Sequence, residues 1–287
     1  MSKLLLAAAA VAVSATAGLA ADLPGKKAAA APVIVSPWDF AIGAALRSDY
    51  NFRGISQSDR APGVTAYGEL RYNMNDWLQA YAGISGSSVK LPTRPSMELD
   101  VYGGIRPTFG ALALDFGAMA YIYPREQQLV TAGPVFWTPR NTDFYELYGK
   151  ASYTFSPMFT AGANLYWSPS WLGTGASGTY ASVTGKLSLP YNLAASAEFG
   201  RYFLGKTDLY LGALNLPDYN YWNAGLSYTY KFATLDLRYH DTNLSKTQCF
   251  AATSDPRGIA NGTFSSRWCG AAFIASLSFD LTSKDLK

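Results

Sequence analysis

Apolar and polar residues alternate along this chain in twelve short segments between residues 38 and 279. The clearest is 112–123. Leu112, Leu114, Phe116, Ala118, Ala120 and Ile122 share one phase, while Asp115, Gly117, Tyr121 and Tyr123 take the other. A period of two places such sets on opposite faces of a β-strand. Residues 38–50 repeat the pattern with Phe40, Ile42, Ala44 and Leu46, and 64–72 with Val64, Ala66, Leu70 and Tyr72 against Thr65, Tyr67, Glu69 and Arg71. The connections alternate in length. Short turns fall at Asn73-Met74-Asn75-Asp76, Pro107-Thr108-Phe109-Gly110, Phe155-Ser156-Pro157, Pro190-Tyr191-Asn192 and near Lys231. Longer loops cover 87–96, 124–141, 169–178, 203–219 and 241–268. The pattern predicts an all-β fold, an antiparallel up-and-down transmembrane β-barrel of about twelve strands with short periplasmic turns and long extracellular loops. An even strand number returns both chain ends to the short-turn side.

A soluble barrel or sandwich would turn the same apolar faces to a dry interior, and alternation alone does not separate the two. Three features favour lipid. The turns are ordered short and long. Charges of both signs share one phase. Aromatics gather at strand ends, with Tyr72, Tyr153, Phe155, Phe159, Tyr228, Tyr230 and Phe232 near the short turns and Tyr50, Trp167, Tyr202, Trp222 and Tyr239 near the loops. Arg201 falls on the apolar phase near a strand's outer end, where its long stem reaches headgroups. Charged residues make up only 15% of the chain, so much of its surface suits hydrocarbon rather than water. With 23 Lys and Arg against 20 Asp and Glu, no strong field invites nucleic acid.

Residues 1–20 read as a signal peptide: Lys3, an apolar stretch from Leu4 to Val13, then Gly18-Leu19-Ala20 before a cut at Ala21. Residues 21–37 are an Ala/Pro-rich lead-in, either flexible in the periplasm or tucked into the lumen, and 38–287 form the barrel. The expected location is the outer membrane of a Gram-negative bacterium, in contact with its lipid and lipopolysaccharide. Cys249 and Cys269 are expected to form a disulfide in the last external loop, since export passes through an oxidising compartment. No metal or other cofactor is expected, because His240 is the sole histidine.

The polar phase carries Arg47, Asp49, Glu69, Arg71, Glu98, Asp100, Arg106, Asp115, Glu146, Lys150, Lys186, Glu198, Asp236 and Arg238, six basic and eight acidic residues. Unpaired and dry, such charges are prohibitive, so they are either hydrated in a channel or paired across strands. The function this implies is porin-like passive diffusion of small hydrophilic solutes or ions through a narrow charged lumen. The acidic excess hints at cations. A non-conducting structural or adhesive barrel is the alternative. An outer-membrane enzyme is a weaker one, as no nucleophile motif accompanies His240. Oligomeric state is open.

The segment Ser48-Asp49-Tyr50-Asn51-Phe52-Arg53-Gly54-Ile55-Ser56-Gln57-Ser58 resembles the signature of the TorF-type porins, also called the Gcw_chp family. Those chains carry an aromatic-Arg-Gly-aliphatic-Ser-Gln stretch at the end of their first strand. The resemblance implies an exported outer-membrane barrel and leaves the solute unassigned. Continued alternation would point Arg47, Asp49 and Arg53 inward and set Tyr50 and Phe52 at the rim. Arg53 then either narrows the channel mouth, with Gly54 permitting a bend, or fixes loop packing. A Tyr-Gly echo (Tyr67-Gly68, Tyr102-Gly103, Tyr148-Gly149) reads as packing of an inward ring beside a lipid-facing glycine.

Overall fold

The computed structural model describes residues 37–130, 137–283 and 285. Along the chain run β1 (Trp38–Arg47), β2 (Asn51–Phe52), β3 (Ile55–Ser56), β4 (Gly63–Asn73), β5 (Leu78–Ser87), β6 (Glu98–Phe109), β7 (Leu112–Ile122), β8 (Phe144–Ser156), β9 (Phe159–Ser168), β10 (Gly178–Leu189), β11 (Leu193–Leu204), β12 (Tyr219–Tyr230), β13 (Ala233–Thr242) and β14 (Ala272–Thr282). Twelve of these close into one antiparallel barrel, with β1 paired to both β4 and β14. The remaining two, β2 and β3, form a separate small hairpin. Barrel strands of 10–13 residues match the length needed to cross hydrocarbon at a tilt. The expected signal peptide and lead-in lie outside the described residues apart from Pro37, as do residues 131–136 of the β7–β8 loop.

Side-chain direction decides between lipid and dry core. Leu46, Val183 and Leu237 are 55–60% exposed on the outer face, while Glu69, Arg106, Glu146 and Asp236 are buried inside. That is the inverse of a soluble barrel. Closely packed exposed rings ring the short-turn end, among them Trp38 on Tyr72 and Trp77 on Phe109, at centroid distances of 4.8 and 5.5 Å. Arg201 does face outward, 3.4 Å from Asp218 and over the Phe203 ring.

Several expectations need correcting. β6 continues through Pro107 to Phe109, so its turn is Gly110-Ala111. The β6–β7 ladder is interrupted at Arg106 and Pro107, where the proline has no N–H to give. Tyr202 belongs to the inward phase and is fully buried, not part of an outer belt. The Tyr-Gly echo keeps its phase, with Gly149 beside the outward Phe116 ring, and two of its tyrosines also cover a second glycine. Tyr102 lies over Gly83, its register partner on the neighbouring strand, where a Cβ would come within 2.4 Å of the ring. Tyr148 lies over Gly117 in the same way. The receiving glycine therefore faces inward beside its tyrosine.

The last long connection contains two helices, α1 (Lys246–Thr253) and α2 (Pro256–Ala260). Ser245 and Gln248 form a capping box at α1, and Asp255-Pro256 starts α2. Cys249 in α1 is disulfide-bonded to Cys269, just before β14. Reduction is expected to loosen this loop by about 3 kcal/mol, because the bond closes about 20 residues. The barrel itself should persist. In reducing buffer, proteolysis within 243–271 should accelerate while the unheated folded band on a gel stays unchanged.

Candidate functional site

The first long connection, 48–62, does not project outward. It turns into the barrel mouth, and Asp49, Tyr50, Asn51, Arg53, Ile55, Ser56 and Ser58 are all buried. Tyr50 therefore does not sit at the rim. The pairs Asn51↔Ser56 and Phe52↔Ile55 leave Arg53 and Gly54 as a two-residue turn, with φ of 47° and 90°. Gly54 is required twice over. Its φ is positive, and a Cβ there would lie 2.2 Å from Thr242 Cγ2. Its N–H donates to Asn51 Oδ1 at 2.8 Å.

The turn presents Arg53 to the opposite wall. Its guanidinium donates in a fork to Glu146 on β8, at 2.6 and 2.8 Å, and also to Tyr202 Oη at 3.0 Å. Tyr121 and Tyr202 donate to the two Glu146 oxygens at 3.0 and 3.2 Å. The guanidinium carbon lies 4.4–4.6 Å from the ring centres of Phe52, Tyr166 and Tyr180. Burial alone would lower the Arg53 pKa; the adjoining Glu146 carboxylate more than reverses this, so the group stays charged. A bidentate pair enclosed by rings is the geometry in which arginine outperforms lysine.

The base of the hairpin is tied as firmly. Asp49 accepts from Ser56, Ser58 and Arg60 at 2.6, 2.9 and 3.2 Å. Burial and the Glu98 carboxylate push the Tyr50 phenol well above its ordinary range, so it remains a donor to Glu98 at 2.5 Å. Arg60 donates to the carbonyls of Arg267, Trp268 and Gly270, joining the hairpin to the disulfide-closed loop. Asp59 is paired with Arg257 and accepts from the Trp268 indole.

A second network occupies the short-turn half of the lumen. Arg106 forks onto Glu69 at 2.8 and 3.0 Å, and Arg71 donates to Glu69 at 2.6 Å. Arg71 lies 3.7 Å from Asp39, and Asp115 sits 3.7 Å from Arg106 and 3.5 Å from Lys150. On the facing wall Arg238 donates to Asp236, Asn223 and Ser196. Glu198 accepts from Tyr180 and Asn223 there. Arg47 donates to Thr65, Asp100 accepts from Ser85, and Lys186 is half-buried on β10. His240 meets Tyr221 through Nδ1 at 2.8 Å. Among the described residues no group of three His, Cys, Asp or Glu side chains is placed to hold a metal.

Most of the charged residues of the polar phase are thus buried and joined to one another across strands, rather than standing as separate groups. Of the tyrosines around Arg53, Tyr202 is the one the sequence places in the loop-side belt; their joint enclosure of one cation is not part of the sequence reading.

A closed, polar-cored barrel with outward aliphatic faces defines the porin-like outer-membrane class. The NanC porin aligns over 84% of this chain and 100% of its own, with TM-score 0.47 and 9% identity. The outer-membrane channel COG4313 of Pseudomonas putida F1 aligns over 87% and 97%, with TM-score 0.46 and 9% identity. A protein solved in work on in-meso crystallization of membrane proteins aligns over 86% and 84%, with TM-score 0.50 and 13% identity. At such identities the likeness concerns the fold alone. Residues 30–265 match the family model Gcw_chp, described as a bacterial protein of unknown function, and the chain belongs to that family. No protein in the curated set matches the sequence.

Proposed function

We propose that the protein is an exported outer-membrane channel that passes small hydrophilic solutes or ions by passive diffusion, closed in this state by the 48–62 hairpin. The single observation behind this reading is how the hairpin tip is held. Arg53 enters the lumen on hydrogen bonds and an ion pair, which water can replace, and no covalent link reaches it. The charged walls below it are the kind that hydrate when the mouth opens. In this reading the short turns face the periplasm, lipid and lipopolysaccharide surround the outer face, and the TorF-type porin name suggested by the motif is apt. The acidic excess along the lumen favours cations.

A permanently closed structural barrel is the second reading. The completeness of the Asp49 and Glu146 bonding favours it. Planar-bilayer recording separates the two. The channel reading expects the intact protein to rest at low conductance with brief discrete openings. A folded protein that stays silent even when residues 49–60 are replaced by a short Gly-Ser linker would end it.

A further inference from the structure

Outside the hairpin, at the long-loop end, lies a recess of about 680 Å³. Phe52 and Ile55 of the hairpin form part of its lining, facing Phe144, Trp171, Leu216 and Trp268. Its chemistry is opposite to that of the lumen beneath. Among the described residues Glu98 is the one charged side chain in the lining, and its two oxygens already accept from Tyr50 and Tyr123. Three of the lining hydroxyls are committed as well. Thr142 donates to Glu126, Thr174 to the Trp171 carbonyl and Ser56 to Asp49.

A sugar or an ion entering this space would give up more hydration than the few uncommitted polar groups of the walls replace. A ring system would give up nothing comparable and would gain aromatic and aliphatic contact. One polar feature remains. The indole N–H groups of Trp137 and Trp171 have no hydrogen-bond partner among the described residues, and Trp171 is only 4% exposed. Buried indoles ordinarily find an acceptor. The volume falls in the range of sites that enclose a drug-sized molecule.

We infer that this recess is a binding site for a neutral, ring-bearing organic molecule carrying one or two hydrogen-bond acceptors. The site belongs to the state with the hairpin seated, because its walls are loop residues, one side of the hairpin and the loop-side ends of β6, β7 and β8.

The test uses the full chain in lipid nanodiscs, with 2-acetylnaphthalene as the probe and quenching of intrinsic tryptophan fluorescence as the signal. The wild type is expected to quench saturably. Leu216→Glu, which places a charge in the wall, and Ala252→Phe, which fills space, should each weaken the midpoint about tenfold or more. The charged analogue 2-naphthoate should bind the wild type at least about tenfold more weakly than the ketone. Unsaturable quenching that is the same in wild type and folded variants would mean partition into lipid and overturn the site. Equal affinity for 2-naphthoate would overturn the neutral-ligand assignment. Displacement of the ketone by dodecanol at lower concentration would make the occupant an acyl chain and overturn the ring assignment. The comparison of ketone with carboxylate needs no variant, so misfolding of either substitution leaves the proposal exposed to refutation.

Discussion

Glu146→Gln is expected to convert a largely closed barrel into one that opens often. The substitution keeps shape but leaves Arg53 charged, enclosed by rings and facing a neutral amide. Removing one partner of a buried ion pair costs about 3–5 kcal/mol, most of it the stranded charge. In a single-domain core that cost is taken as lost stability. Here a less costly route exists, because the hairpin can withdraw into water and rehydrate Arg53. The equilibrium between inserted and withdrawn hairpin should then move by about 150- to 5,000-fold. In single-channel recordings this appears as a rise in open probability with little change in the size of the largest step.

Two companions sharpen the result. Arg53→Lys keeps the charge but loses the fork and the ring stacking, and should open the channel to an intermediate degree. The double change Arg53→Met with Glu146→Leu removes both charges together. It should open less than Glu146→Gln, because nothing is left stranded. Equal open probability for wild type and a properly folded Glu146→Gln protein would remove Arg53 as the latch.

The barrel was legible in the chain because lipid and lumen impose opposite polarities on alternate residues, and the ordered turns and the charges of both signs on one phase set it apart from a soluble sheet. Leu235, Leu237 and Tyr239 against Asp236, Arg238 and His240 carry that signal without any tertiary information. The latch was not legible to the same degree. Alternation ends at Arg47, and the direction of the next fifteen residues depends on Glu146, 93 positions after Arg53. Local cues did exist. Arg53-Gly54 between short extended pairs is a turn signal, yet whether it turns inward or outward depends on acceptors elsewhere in the fold. The helices of the last loop were legible in principle from Ser245 with Gln248 three residues on, and from Asp255-Pro256. Inward tyrosines such as Tyr121 followed from phase alone. Their role as an enclosure for one cation emerges only when Tyr121, Tyr166, Tyr180 and Tyr202, on β7, β9, β10 and β11, meet around it.

Ion preference should be set lower down, where Glu69 is the shared acceptor for two arginines. Asp39, Glu69 and Asp115 face Arg71, Arg106 and Lys150, three charges of each sign within contact distance. The cluster is neutral as a whole. Glu69→Gln leaves it with an excess of one positive charge, and Arg106→Gln with an excess of one negative charge. A unit charge about 4 Å from a permeating ion in water contributes about 1 kcal/mol, or roughly a fivefold change in relative permeability. Measured in the Glu146→Gln background, so that the hairpin no longer limits current, Glu69→Gln should shift the reversal potential toward anions and Arg106→Gln toward cations. Glu69→Gln also leaves Arg106 and Arg71 to share one acceptor oxygen in place of two, so its unfolding temperature should fall further than that of Arg47→Gln, whose group donates to Thr65 and lies 5.5 Å from the centre of the Tyr50 ring. The opposite signs are the decisive part. A shift in the same direction for both substitutions would mean that ions pass the cluster at a distance, and that selectivity is decided elsewhere in the barrel.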